Sequence, residues 1–285
     1  MPAEIWKGAP VAEALCEKLQ TRIAALGEKG VVPCLGMIRI GERPGDLSYE
    51  RSAMKRCEKL GIAVRRHILD AAVTQEELIA LIQSLNADDA VHGILFFRPL
   101  PVGMDVRKVC DAIAPEKDVD GITSRSMAAV YAGEEHAFFP CTAQAVIEML
   151  RYYASPICGK RAVVIGRSLV TGRPAALLLL REHATVTVCH TRTADLEALS
   201  READILVTAT GHINTVTASH LRPGQVVIDI GINYDETRQK LCGDVDHDAA
   251  EQIVSAISAV PGGIGAVTST ILASHVVEAA ETQTE

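Results

Sequence analysis

Short apolar runs alternate with amphipathic stretches twice along this 285-residue chain, and no other feature narrows the choice of fold as far. "CLGMIRIG" (34–41), "IAVRRHIL" (62–69) and "VHGILFFRPLP" (91–101) read as strands. Between them, "DLSYERSAMKRCEKLG" (46–61) reads as a helix ended by Gly61. "TQEELIALIQSLN" (74–86) reads as a helix opened by Thr74, with Glu77 at capping-box spacing. Strands joined by helical crossovers run parallel, with helices covering the sheet faces. A second series follows. Its strands are "RAVVIG" (161–166), "ATVTVCH" (184–190), "DILVTATG" (204–211) and "GQVVIDIG" (224–231). Its helices are "GRPAALLLLREH" (172–183) and "TADLEALSREA" (193–203). The polar "APEKDVDGITSRS" (114–126) reads as a loop, "TAQAVIEMLRYY" (142–153) as a connecting helix and "TSTILASHVVEAAET" (268–282) as a final helix. The expected architecture is α/β with two parallel-sheet domains. Residues 1–141 with a C-terminal helix 269–285 form the first, and residues 142–268 form a Rossmann-type dinucleotide-binding domain.

Charge and cysteine usage remove several function classes. The net charge is −8 and the lysines and arginines form no stripe, which argues against nucleic acid. The eight cysteines are scattered without a C-x-x-C pair, so neither a zinc site nor a disulfide framework is expected. The N-terminus lacks a basic-then-apolar leader. The most apolar helix is closed by Arg173 and Arg181, far short of the ~20 residues that span a bilayer. A cytoplasmic protein with no membrane partner is expected. His67, His92 and His275 have no partners at ligand spacing and read as structural.

"VVIGRSLVTGRP" places Gly166 at the end of a strand and Gly172 at the start of a helix. A dinucleotide fold seats its pyrophosphate there, on the N–H groups of the helix N-terminus. Five residues separate the glycines, so this is neither G-x-G-x-x-G nor a P-loop, and a purely structural turn would want glycine too. The next strand ends in "CHTRT", with no carboxylate for a ribose 2′-hydroxyl. His190, Thr191 and Arg192 stand there instead, with Arg167 in the glycine loop. Cations and a hydroxyl suit a 2′-phosphate, which favours NADP over NAD.

Several segments together are similar to the methylenetetrahydrofolate dehydrogenase/cyclohydrolase family: "APEKDVDG" (114–121), "GRSLVTGRP" (166–174), "ATVTVCHTRT" (184–193), "VVIDIGIN" (226–233), "GDVD" (243–246) and "PGGIGAVT" (261–268). The resemblance implies an N-terminal folate domain, a C-terminal NADP domain, a cleft between them and a homodimer. It maps the cofactor loop onto Gly166, Arg167, Ser168 and Gly172, the adenosine 2′-phosphate side onto Thr191, and the nicotinamide side onto Ile232. It assigns Asp120 to the pterin, whose adjacent amino group and ring N–H a carboxylate can accept together. Without the resemblance, Asp120 would read as an Asp-Gly turn residue. Tyr49, Phe97, Pro261, Gly262 and Gly263 complete the implied folate site, with Tyr49 and Asp120 as its catalytic pair.

Two departures from the family pattern bear on the chemistry. Members with both activities carry Tyr-x-x-x-Lys on the first helix, about one turn apart and therefore on one face. Here Tyr49 is followed at that spacing by Ala53. Lys55 lies about 240° round the helix from Tyr49, and Arg56 is two turns on with a guanidinium that stays protonated. The third strand of those members ends Val-Gln-Leu-Pro, whereas this chain reads Phe96-Phe97-Arg98-Pro99, with Phe97 at the glutamine position. Ala266 and Val267 also stand where Pro and Met are usual. Hydride transfer needs no side-chain proton carrier, whereas hydrolysis of a methenyl cation does. The expectation is therefore an NADP-dependent methylenetetrahydrofolate dehydrogenase with weak or absent cyclohydrolase activity. The alternative is a fully bifunctional enzyme. A ligand-binding protein without turnover, and a short-chain dehydrogenase, fit the motifs and their order less well.

Overall fold

A computed structural model describes residues 2–134 and 137–284. Met1, Glu135, His136 and Glu285 lie outside the described residues, so both chain ends of the expected first domain do as well. In chain order the strands are β1 (Glu4–Trp6), β2 (Cys34–Ile40), β3 (Ala63–Leu69), β4 (Gly93–Phe96), β5 (Arg161–Ile165), β6 (Thr185–Cys189), β7 (Ile205–Thr208), β8 (Val226–Asp229), β9 (Asn233–Asp235), β10 (Lys240–Cys242) and β11 (Ala256–Ser258). The chain divides into two units. One comprises Ala14–Cys141 and the segment from Ser269 on; the other comprises the segment up to Glu13 and Thr142–Thr268.

The first unit holds a three-stranded parallel sheet in the order β3-β2-β4. β2 is buried along its whole length, as its apolar run requires. Its one charged residue, Arg39, is tolerated because its Nε lies 2.6 Å from Glu50 Oε2, and the other oxygen of Glu50 lies 2.6 Å from Arg66 Nε. β3 is an edge strand, which explains why arginines can occupy its exposed positions. The helix Pro44–Leu60 ends at Gly61, where a φ of +74° closes the last turn, and Gln75–Asn86 opens with the Thr74–Glu77 capping box.

The second unit holds a six-stranded parallel sheet in the order β1-β11-β8-β7-β5-β6. From β5 the chain goes outward to β6, then returns to β7 and builds the other way through β8. Between β5 and β7 lies the topological switch point, outside whose carboxyl ends such sheets bind ligands. The core is aliphatic, with Val163, Leu206, Val227 and Ile257 among its buried residues.

Three expectations need correction. The segment up to Glu13 belongs with the second unit, because β1 pairs with β11 (Glu4 with Ala256, Trp6 with Ser258). Trp6 stacks on Tyr153 with ring centroids 4.6 Å apart, and the Tyr153 hydroxyl accepts from Lys7 N–H and donates to Lys7 C=O, each at 2.9 Å. The final helix begins earlier, at Ile264, and the division falls within it. The loop expected over 114–126 yields to a helix at Ser124, capped by Thr123. Residues 8–28, to which the sequence pattern assigns no element, form a 21-residue helix. Among the described residues no helix is long and apolar enough to cross a membrane.

Candidate active site

In the first unit, the end of β4, the helix Pro44–Leu60 and the "DVDG" loop bring Tyr49, Phe97, Arg98 and Asp120 together. Phe97 is buried, and its ring meets that of Tyr49 edge-on at 5.7 Å and 86°. Arg98 Nη2 lies 3.3 Å from Asp120 Oδ2, with both side chains largely out of solvent. Burial pushes the Asp120 carboxyl up to about 6; Arg98 opposes that shift and Asp118 adds to it. Burial, with the Asp120 charge second, also holds Tyr49 well above the usual phenol range. Ala53, one turn from Tyr49, is 1% exposed and brings no polar group there itself. Lys55 is exposed, and Arg56 donates to Cys16 Sγ at 3.1 Å.

The loop carrying Asp120 is held by Asp118, which sequence reasoning passes over. Its carboxylate accepts from Ile122 N–H (3.0 Å), Thr123 N–H (2.8 Å) and the Ser126 hydroxyl (2.6 Å). Gly121 follows with a φ of +64°, and a Cβ there would come within 2.6 Å of the Phe139–Pro140 backbone. Behind Asp120, the Cys141 thiol donates to Val119 C=O (3.3 Å) and lies 3.6 Å from His275 Nδ1, itself 2.8 Å from the same carbonyl. Burial pushes His275 down to about 4, so it is neutral near pH 7. Arg98 is the second residue missed. Its only signal in the sequence is a charge directly after an apolar strand.

In the second unit, Gly166 leaves β5 with a φ of +129° and packs so closely against the end of β7 that a Cβ would sit 2.3 Å from Ala209 O. Gly172 opens the helix Gly172–Arg181, and a Cβ there would sit 2.3 Å from Gly166 O. Neither position accepts another residue without a shift. Ser168 Oγ accepts from Thr171 N–H (3.2 Å) and Gly172 N–H (3.4 Å), while Arg167 is exposed. At the tip of β6 the turn closes on itself, with His190 N–H donating to Thr193 Oγ1 (2.8 Å) and Arg192 N–H to His190 Nδ1 (3.1 Å). Thr191 and Arg192 are exposed on it. This donor set fits a dinucleotide phosphate: a glycine turn at the switch point, a helix N-terminus and a strand tip without a carboxylate.

Ile232 is 65% exposed just beyond β8. The turn before it is pinned by Asp229, which accepts from the N–H groups of Gly231 (2.9 Å), Asp244 (3.1 Å) and Val245 (3.0 Å) and from Thr208 Oγ1 (3.0 Å). Pro261, Gly262 and Gly263 form a tight turn in this same unit. Gly262 C=O accepts from Gly8 N–H at 2.8 Å, and a Cβ on Gly8 would strike Gly263 O. They are thus apart in the chain's division from Tyr49, Phe97 and Asp120, which fall in the first unit.

Comparison with known proteins matches residues 6–120 to the tetrahydrofolate dehydrogenase/cyclohydrolase catalytic domain, and residues 140–284 to the NAD(P)-binding domain of the same family. The chain is 49% identical over 280 residues to the "Bifunctional protein FolD" of Carboxydothermus hydrogenoformans, covering 98% of each chain. Its structure superposes with a TM-score of 0.95 on the bifunctional methylenetetrahydrofolate dehydrogenase/cyclohydrolase FolD of Campylobacter jejuni. The identity is 37%, over 98% of this chain and 99% of that one. The Trypanosoma brucei dehydrogenase-cyclohydrolase complexed with NADP and an inhibitor gives 0.94 at 34% identity, over 100% and 99% of the two chains.

Proposed function

The chain belongs to the tetrahydrofolate dehydrogenase/cyclohydrolase family, and from that premise we propose that it oxidises 5,10-methylenetetrahydrofolate to 5,10-methenyltetrahydrofolate with NADP. The observation that carries the choice of NADP is the glycine turn at the switch point beside a β6 tip that bears His190, Thr191 and Arg192 and no carboxylate. NADP supplies the hydride acceptor when bound. Gly166, Arg167, Ser168 and Gly172 would hold its pyrophosphate, Thr191 its 2′-phosphate, and Ile232 would border the nicotinamide. On this reading the unit of Ala14–Cys141 binds the folate. Asp120 accepts the paired pterin donors, and Tyr49 and Phe97 wall the one-carbon bridge; the family resemblance also assigns Pro261, Gly262 and Gly263 to folate binding. Loss of hydride leaves a cation shared by the two flanking nitrogens, so no side chain need take a proton. The family resemblance also supports a homodimer and a cytoplasmic location; sedimentation at twice the chain mass tests the former.

A second reading adds hydrolysis of the methenyl product to 10-formyltetrahydrofolate. The names of the Carboxydothermus and Campylobacter proteins favour it, at 49% and 37% identity along nearly the whole chain. That similarity supports a bifunctional enzyme better than two substituted positions support a monofunctional one. The local chemistry weighs the other way. Ala53 is buried where a lysine would work, and Phe97 packs on Tyr49. Hydrolysis here has to move its proton without a lysine at position 53.

One experiment separates the two. Purified protein is mixed with 5,10-methylenetetrahydrofolate and NADP⁺, and reduced cofactor and methenyl-folate are recorded together. Methenyl-folate accumulating one-for-one with NADPH, and decaying no faster than in buffer, marks a dehydrogenase alone. NADPH without methenyl-folate build-up marks a bifunctional enzyme. No NADPH refutes the proposal.

A further inference from the structure

We propose that Arg98 is the positioning residue for Asp120, its guanidinium holding that carboxylate ionised and turned towards the pterin. The inference rests on the folate reading of this site. Where the family pattern has glutamine and leucine after the third strand, this chain has Phe97 and Arg98. The two face different partners: Phe97 packs edge-on against Tyr49, and Arg98 reaches Asp120. Relative exposures of 22% and 17% leave little water to solvate either charge, and a guanidinium so placed needs an anion nearby. The contact is single, from Nη2 to Oδ2 at 3.3 Å, rather than the bidentate fork that would occupy both oxygens. It anchors one carboxylate oxygen while leaving lone pairs for the adjacent amino and ring N–H of a pterin.

Among the described residues, the charged and titratable groups that face Asp120 come from four elements. Tyr49 approaches from the helix Pro44–Leu60, Cys141 from the helix Cys141–Tyr152 with His275 behind it, Asp118 from the same loop, and Arg98 from the end of β4. Burial holds the phenol and the thiol in their neutral forms, and His275 is neutral near pH 7. Asp118 works against ionisation of its neighbour. Arg98 is therefore the only charged group in this set that favours the ionised form of Asp120, and the Cys141 thiol adds a weaker, neutral contribution in the same direction. Without it, only the Cys141 thiol opposes burial and Asp118, and the carboxyl titrates at higher pH. A protonated carboxyl presents its own O–H and no longer accepts two donors side by side.

The test compares native enzyme with Arg98→Leu, Arg98→Gln and Arg98→Lys, measuring kcat and KM for 5,10-methylenetetrahydrofolate from about pH 5 to about pH 8.5. The native acid limb is expected near 6. In Arg98→Leu and Arg98→Gln it moves up by about one pH unit or more, and kcat/KM near pH 6.5 falls about tenfold, mostly through KM. Arg98→Lys restores most of the limb. Isotope-edited infrared titration of the aspartate carboxyls, with Asp120→Asn assigning the band, reads the same shift without turnover. It therefore decides the inference even if the native protein oxidises no folate, an outcome that would sink the functional reading alone. The uncharged but polar glutamine keeps the test open if the leucine variant folds poorly. An unmoved Asp120 midpoint in Arg98→Gln, or an Arg98→Lys as impaired as Arg98→Leu, overturns the role.

Discussion

Ala53 and Phe97 are the residues at which the two proposed activities can be told apart. Ala53 is 1% exposed in a packed helix face, so Ala53→Lys has to bury an ammonium in space now filled by a methyl group. A loss of about 2–4 kcal/mol is expected, seen as a lower melting temperature. Methenyl-folate hydrolysis should stay within about twofold of native, because Phe97 still fills the adjacent place. Substantial hydrolysis by this one variant would refute the two-residue account. His275 gives a second prediction at this scale. Its folded pKa of about 4 lies below the ordinary 6.5, so the unfolded chain binds more protons between those values. Stability should therefore fall as pH drops from 6.5 towards 4, by up to about 3 kcal/mol from this group. Asp120 acts oppositely, since a carboxyl raised to about 6 loses stability as pH rises from 3.8 to 6. Denaturant titration of His275→Gln against native across pH 4–7 isolates the histidine, and the variant should show the flatter acid side. The Tyr49–Ala53 relation is readable from helical spacing alone. Arg98 is not, because its partner lies 22 residues away and only the packing of loop against strand end brings them together.

Among the elements, the strand–loop–helix from Arg161 to Arg181 carries the clearest constraint. Gly172→Ala drives a methyl towards Gly166 O, a backbone atom that cannot swing aside. We expect a cost of about 1–3 kcal/mol and at least tenfold weaker NADP binding, measured by calorimetric titration. Unchanged affinity would remove this turn from the cofactor site. The Thr74 capping box is a smaller device: Thr74→Ala removes the acceptor for Glu77 N–H at 3.2 Å and should cost about 1 kcal/mol in thermal unfolding. Both features are legible in sequence, since glycines at strand ends and Thr-x-x-Glu before an apolar run work through neighbours within a few residues. The helix at 8–28 and the one opening at Ser124 escape the same reading. The former enters the sequence reading only as a terminus, and the latter begins inside a stretch whose polarity reads as loop.

For the whole molecule, the N-terminal strand has the largest consequence. Trp6, 3% exposed, anchors β1 by stacking on Tyr153 while its backbone pairs with β11, some 250 residues on. Trp6→Ala should destabilise the protein by about 3–5 kcal/mol, read by circular dichroism because the chain has only this tryptophan. Unaltered melting would mean that β1 contributes little to its sheet. The alternating series, two parallel sheets, the glycine turn and the missing lysine were determined by the sequence itself, because each depends on periodicity or spacing within one or two elements. The place of Glu4–Trp6 in the second sheet, the pairing of Arg98 with Asp120 and the upward shift of that carboxyl were decided only by the tertiary structure. They depend on which distant segments exclude water together, and burial of that kind has no local period.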